Sequence, residues 1–252
     1  MVLVLQATLL GILAGLGQLD SRIFGQNMLD RPLILGPIVG LILGDVGTGI
    51  IMGGSLELIF MGFVGIGVST PADTNVGGIL GTAFAILSGL EIGTAVTLAL
   101  PIAMLANFIG IFVRTVNSAW QHRADKFADE GNAKGVARTM WYGAALFFIC
   151  PAIVVFLGVI FGSDAANYIV SVIPDQVMDG LRVASGVLPA IGLALLLDIT
   201  FDKKYIGYLA LGFVLVAVAN INSITVAVIG AIIAVIVYFL KDSLSAKKGD
   251  DL

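Results

Sequence analysis

The chain has a single cysteine, Cys150, and a single histidine, His122. One cysteine excludes an intrachain disulfide, and the apolar surroundings of Cys150 make it a small packing residue. One histidine leaves no Cys/His metal pattern. His122 lies in a polar segment with no evident partner for metal binding or phosphotransfer, so it reads as a solvated residue. Charge is scarce as well: 12% of residues are Asp, Glu, Lys or Arg, the net charge is −4, and no block of one sign suggests nucleic acid. No phosphate-binding Gly-x-x-x-x-Gly-Lys-Ser/Thr run and no Gly-x-Ser-x-Gly elbow occurs. The chain does not read as a nucleotide-hydrolysing pump or as an enzyme working alone, and no catalytic residue is expected on it.

Apolar residues and glycine are abundant. Hydrophobic residues make up 58% of the chain, with 32 glycines, and the mean hydropathy is +1.05. A soluble fold must keep a polar exterior, so the expected class is an all-α polytopic integral membrane protein. Long unbroken apolar runs, rather than short alternating ones, exclude a β-barrel. The glycines suit close helix packing and unwound segments.

Val2–Leu19 is long enough to span and lacks a basic n-region, so it is expected to be a retained first span. Its Gly11-x-x-x-Gly15 spacing gives a flat packing face. A polar connector runs to Arg31, and Pro32 opens the next segment. Pro32–Gly44 and Val46–Leu56 are both short, separated by Asp45 among glycines, with Glu57 expected to break the run again. Such pieces look like re-entrant hairpins or half-helices. Val76–Leu90 and Ile92–Val113 follow, the latter with Pro101 as a kink site. Arg114–Arg138 reads as a solvent-facing helical connector between a first half, residues 1–113, and a second half, 139–240. Thr139–Gly162 is a span with interfacial Trp141 and Tyr142. Ser163–Arg182 is expected to be a polar loop, and Val183–Leu197 to return. Tyr205–Leu240 is cut by Asn220–Ser223 into a helical hairpin, and residues 241–252 form a polar tail. Residues 1–240 are thus expected to form a single membrane-embedded domain. With Arg114–Arg138 placed in the cytoplasm by the positive-inside rule, Lys203, Lys204 and the C-terminal tail fall on the same side. The first half does not resolve so cleanly.

Acids at membrane depth cost about 2.5–3.5 kcal/mol at a helix centre and usually face a polar cavity or a partner. Glu57 is the leading candidate, since a carboxylate accepts two hydrogen bonds and vicinal sugar hydroxyls offer two donors. The structural alternative is a cap on a half-helix or a pair with an Arg from a partner. Asp73 and Asn75 lie in a Pro-containing break with Ser69 and Thr70. They supply acceptors and donors for a polyhydroxylated solute, or form an Asx-type turn or cap. Asp45 is more often a turn residue than a ligand contact. Gln18 and Asp20 could reach a cavity or sit among headgroups. Phe60 and Phe63 either offer a sugar a flat face or pack in the core.

Arg31-Pro32-Leu33, Gly36-Pro37, Gly40 to Asp45, Thr48-Gly49-Ile50 and Gly53 to Leu58 resemble the IIC component of the mannose/fructose/sorbose family of phosphoenolpyruvate-dependent sugar phosphotransferase systems. The resemblance implies a sugar-translocating subunit of the bacterial inner membrane that pairs with a IID membrane subunit. Cytoplasmic IIA and IIB proteins, or a fused IIAB, relay phosphate through histidines to the incoming sugar. It further implies an elevator-type core moving against an interface domain, higher oligomers of IIC–IID pairs, and no phosphorylated residue or cofactor on this chain. Glu57 is the strongest carry-over for sugar contact, and the Ser69–Asn75 break a weaker one. Two other classes stay open on the residues: a cation-coupled sugar transporter with Glu57 or Asp73 as proton carrier, and a non-transporting membrane subunit.

Overall fold

The computed structural model describes residues 1–63, 72–172 and 174–249. Every regular element among them is helical: α1 Val2–Leu19, a π-turn Asp20–Phe24, α2 Pro32–Leu43, α3 Val46–Phe60, α4 Thr74–Leu87, α5 Ile92–Asp129, α6 Ala133–Val172, α7 Asp175–Thr200, a 3-10 turn Lys203–Tyr205, α8 Ile206–Ala217 and α9 Ser223–Gly249. Among the described residues, four segments are long and apolar enough to cross a membrane: Val2–Phe24, Ile92–Asp129, Ala133–Gly162 and Ser223–Leu240. The chain forms two compact units, Met1–Leu197 and Asp198–Leu252.

In the first unit, glycines set the helix directions. Phe148 packs on Gly15 and Ala152 on Gly11, so α1 runs antiparallel to α6. Ala103 meets Gly77 and Ala99 meets Gly81, so α4 runs antiparallel to α5, while Gly158 and Gly162 seat Leu80 and Phe84 and make α4 parallel to α6. The C-terminal end of α1, the N-terminal end of α4 and the joined halves of α5 and α6 therefore share one end. Leu10, Ala14, Leu35, Val39, Ile79 and Val155 fill one part of the core, and Met52, Leu56, Phe60 and Ala99 another.

Helices α2 and α3 form a short hairpin. A Cβ on Gly36 would stand 2.5 Å from the Gly49 carbonyl oxygen, so the two backbones touch. Gly44, at φ 95°, turns the chain. Asp45 then caps α3, accepting from Thr48 N at 3.0 Å and from Thr48 Oγ1 at 2.6 Å. The Gln6 amide donates to Ile42 O at 3.0 Å, tying the turn to the early part of α1. The twelve residues of α2 rise about 18 Å, short of the roughly 30 Å hydrocarbon core.

Two expectations change. Glu57 does not break its segment: α3 continues to Phe60, because Glu is a good helix former and Gly49 and Gly53 of α3 pack closely on α2. Ser163–Arg182 is not a loop: α6 continues to Val172 and α7 begins at Asp175. Polar residues do not stop a helix, and this run meets no proline until Pro174. Arg114–Arg138 is helical and forms the far end of the α5–α6 hairpin, turned at Glu130–Asn132.

In the second unit, α8 and α9 are joined by the expected break. Asn220 takes φ 53°, and Asn222 Oδ1 accepts from Ile224 N at 2.8 Å at the start of α9.

Candidate functional site

A cavity of about 580 Å³ opens in the first unit where α1 ends and α4 begins. Asp73 builds its floor. Its Oδ1 accepts from Val76 N at 3.0 Å, capping α4. Its backbone N–H donates to Ala103 O at 2.9 Å, fixing α4 on α5. Its Oδ2 accepts from the Gln18 amide at 2.7 Å, across 55 residues of sequence. Asn75 donates to Ala14 O at 2.7 Å and is only 2% exposed; its Oδ1 has no hydrogen-bond partner. A Cβ on Gly17 would come within 2.6 Å of that oxygen, so Gly17 is what admits the side chain. Gln18, Asp73 and Asn75 thus meet, and all three line the cavity. The carboxylate of Asp73 keeps acceptor capacity beyond its two bonds, since each oxygen carries two lone pairs.

The rim is the π-turn and the chain after it. Asp20 is completely buried and does not line the cavity. It accepts from Asn27 Nδ2 at 3.2 Å and Leu29 N at 3.1 Å, holding the rim segment together. Within that segment Gln26 and Met28, both cavity-lining, take φ 63° and 65°. Non-glycine residues in this region are costly and are retained where the surroundings enforce them.

Glu57 does not line the cavity, but Arg31 does. The Arg31 guanidinium donates from Nε at 2.8 Å and from Nη2 at 2.6 Å to Glu57 Oε1. Leu33 N donates to Glu57 Oε2 at 3.3 Å. Glu57 thus holds an Arg of its own chain at the cavity edge. Asp45 caps α3 and is not among the lining residues. Ser69 and Thr70 lie outside the described residues. Phe60 is fully buried in the core; Phe63 lines the cavity, with its ring centroid 5.6 Å from that of Phe60. His122 Nδ1 pairs with Ser118 O at 2.8 Å on an exposed face.

Sequence reasoning missed Arg22, Asp30, Arg31, Asn107 and Arg114 as lining groups. Arg22 had a local signal: it stands one helical turn past Gln18. Its Nη1 donates to Gln18 Oε1 at 3.0 Å and also to Gln18 O, and its guanidinium lies 3.9 Å from the centre of the Phe147 ring.

Amides, carboxylates and guanidinium groups around a cavity among apolar helices can replace the water shell of a small polyhydroxylated solute. The fold is that of a polytopic helical membrane protein, and this lining suits such a solute. The match is a family one: residues 4–236 fit the model of the PTS system sorbose-specific IIC component. The chain is 34% identical to the mannose-specific EIIC component of Escherichia coli K12, over 92% of this chain and 87% of that one. It is 34% identical to N-acetylgalactosamine permease IIC component 1 of the same organism, covering 84% and 79%. With the fructose permease IIC component of Bacillus subtilis it shares 30% identity, covering 92% and 86%. A solved structure described as a membrane protein superposes with a TM-score of 0.79 at 34% identity, over 93% of this chain and 95% of that one. The mannose transporter ManYZ in complex with microcin E492 superposes with a TM-score of 0.60 at 33% identity, covering 93% and 94%. This chain belongs to the mannose/fructose/sorbose family and is a multi-pass membrane IIC sugar-permease component of a phosphotransferase system.

Proposed function

We propose that this IIC chain binds one neutral hexose, ketose or amino sugar in the α1–α4 cavity and passes it to the cytoplasmic side for phosphorylation. The observation that carries the reading is the Gln18–Asp73 bond inside the cavity, with Asn75 beside it. Gln18, Asp73 and Asn75 contact the sugar, Glu57 serves through Arg31 at the edge, and Thr70 belongs to the same break in the chain. Asp45 contributes to the turn of the α2–α3 hairpin rather than to the sugar.

The relatives' names support a sugar substrate: mannose, N-acetylgalactosamine, fructose and sorbose are all neutral. The family context and the ManYZ likeness support a IID membrane subunit as partner, cytoplasmic IIA and IIB or IIAB phosphocarriers, and assembly of IIC–IID pairs into oligomers. Elevator-type movement of a core against an interface domain is the expected mode. The cavity shares the end of the unit that carries the 114–138 hairpin tip, where Arg22, Arg31 and Arg114 gather. The positive-inside rule supports a cytoplasmic location for that end, and for residues 241–252. Physically, sugar need only move down its gradient; phosphorylation then adds charge and bars its return through an apolar gate.

The test is uptake of a labelled sugar panel into vesicles carrying the chain with its membrane partner, with phosphoenolpyruvate and the relay proteins supplied or withheld. Sugar phosphate inside, formed only with the complete relay, is the expected result. Unmodified sugar that accumulates with the proton gradient would overturn the reading in favour of cation coupling.

A further inference from the structure

A backbone carbonyl inside a helix normally accepts from the N–H four residues on, and proline has no N–H to give. A helix-internal proline therefore frees the carbonyl one turn before it. Prolines stand inside four of the helices: Pro37 in α2, Pro101 in α5, Pro151 in α6 and Pro189 in α7. Of these four, Pro151 alone lines the sugar cavity. The carbonyl it frees belongs to Phe147, which lines the cavity as well.

The direction and depth of that carbonyl follow from packing. Helix carbonyls point toward the C-terminal end, and α6 starts at the hairpin tip, so the Phe147 oxygen points away from the tip, toward Pro151. Gly158 seats Leu80 and Gly162 seats Phe84 on the parallel helix α4. Carried back along both helices, this register sets Val154 beside Val76 and Pro151 beside Asp73, and all four residues line the cavity. The Phe147 oxygen and the Asp73 carboxylate thus stand at one depth, on the α6 wall and at the N-terminal end of α4. Phe147 is also held in place. The Arg22 guanidinium lies 3.9 Å from its ring centre, and its neighbour Phe148 packs on Gly15 of α1. The α6 residues that line the cavity, Phe147, Pro151 and Val154, have apolar side chains, so the carbonyl is the polar group of this wall. A carbonyl among apolar groups is unfavourable until a donor reaches it.

We propose that the Phe147 carbonyl oxygen accepts a hydrogen bond from one hydroxyl of the bound sugar, with Pro151 as the positioning residue that keeps this oxygen free. This rests on the sugar-binding reading of the cavity given above. An ionised Asp73 and a backbone carbonyl both only accept, so the solute that bridges them must bring a donor to each. The contact therefore sets specificity at one ring position. A hydroxyl there satisfies the carbonyl, whereas a deoxy centre leaves it unpaired and is disfavoured.

The experiment measures equilibrium binding to the purified IIC–IID complex, wild type and Pro151→Ala. The probes are D-mannose, D-fructose, L-sorbose and N-acetyl-D-galactosamine, followed by each monodeoxy form of the tightest binder. Alanine at 151 returns an N–H that occupies the Phe147 oxygen. The parent sugar should then bind about fivefold more weakly. One monodeoxy form should bind both proteins within about twofold of each other, while the others keep the roughly fivefold difference. An unchanged Kd for the parent sugar would overturn the proposal. So would an equal loss for every form, which marks a change of helix shape rather than a lost contact. If Pro151→Ala fails to assemble, the wild type decides, with a carbon-13 carbonyl label at Phe147. Its infrared amide band should fall in wavenumber when the parent sugar is added and stay in place with one monodeoxy form; a band that the parent sugar does not move would overturn the proposal. A wild-type complex that binds none of the four sugars would instead sink the sugar-binding reading itself.

Discussion

Replacing Glu57 by Ala tests whether the carboxylate acts on sugar directly or through Arg31. Two guanidinium donors reach Oε1 at 2.8 and 2.6 Å, and the α2 backbone reaches Oε2 at 3.3 Å. The side chains are 21% and 16% exposed. That places the pair between exposed ones, about 0.2–1 kcal/mol, and fully buried ones, where removing a partner costs about 3–5 kcal/mol. A local cost of about 1–3 kcal/mol follows, and it falls on the base of α2 and on the position of Arg31. Since Arg31 lines the cavity and Glu57 does not, sugar affinity should fall about tenfold, or about 1.4 kcal/mol. Arg31→Ala should give a similar loss. The double variant should be no worse than either single one, a coupling energy of about 1.4 kcal/mol. Equilibrium binding of labelled sugar to the purified IIC–IID complex measures all four corners of the cycle. Losses that multiply to about a hundredfold in the double variant would refute the reasoning and put Glu57 in direct contact with the sugar.

Gly36→Ala should destabilise the α2–α3 hairpin by about 1–3 kcal/mol, seen as a lower melting midpoint, because its Cβ would stand 2.5 Å from Gly49 O. Gly54→Ala, with nothing within 4 Å, should leave the midpoint unchanged or raised, and serves as the control. Gln18→Leu removes the donor to Asp73 and the acceptor for Arg22 together; sugar Kd should rise at least about tenfold, and an unchanged Kd would remove Gln18 from the site. Glu130→Cys, in a Cys150→Ala background, should react with a membrane-impermeant thiol reagent in inverted vesicles and not in right-side-out ones; the opposite pattern would invert the orientation.

Helix α1 covers Val2–Leu19 as hydropathy indicates, and the Asn220–Ser223 break and the Gly44–Asp45 turn fall where turn chemistry puts them. These are local properties: an apolar run, a residue able to take positive φ, a short side chain that caps. Polarity alone does not mark a break. Ser163 onward and Glu57 are polar but remain helical, because a polar side chain leaves the backbone N–H and the helical φ of its residue intact. Pairings were out of reach for a different reason. Gln18 and Asp73 were each singled out, yet nothing local to either says that α1 and α4 end at the same place. The alternative for Glu57 is an Arg from a partner, whereas the fold supplies Arg31 of the same chain, a pairing that depends on how α2 folds back on α3.

The basic residues pose the harder problem, since a sufficient explanation already covers them. Arg22, Arg31 and Arg114 all sit at the ends of apolar runs, where the positive-inside rule accounts for any cation without further function. A residue that obeys a topogenic rule gives no local sign of a second role. What separates the roles is convergence. A cation placed for topology needs only depth, and it can point anywhere around its helix. Here three cations, from the π-turn after α1, the segment before α2, and α5, line one cavity, one of them paired with Glu57 and one stacked on Phe147. In a chain with so few charges, Asp73 is the acid that the sequence singles out and the cavity contains, while Glu57 and Asp45 stand outside its lining. The cations that share the lining become visible only when the helices that carry them are seen to share an end.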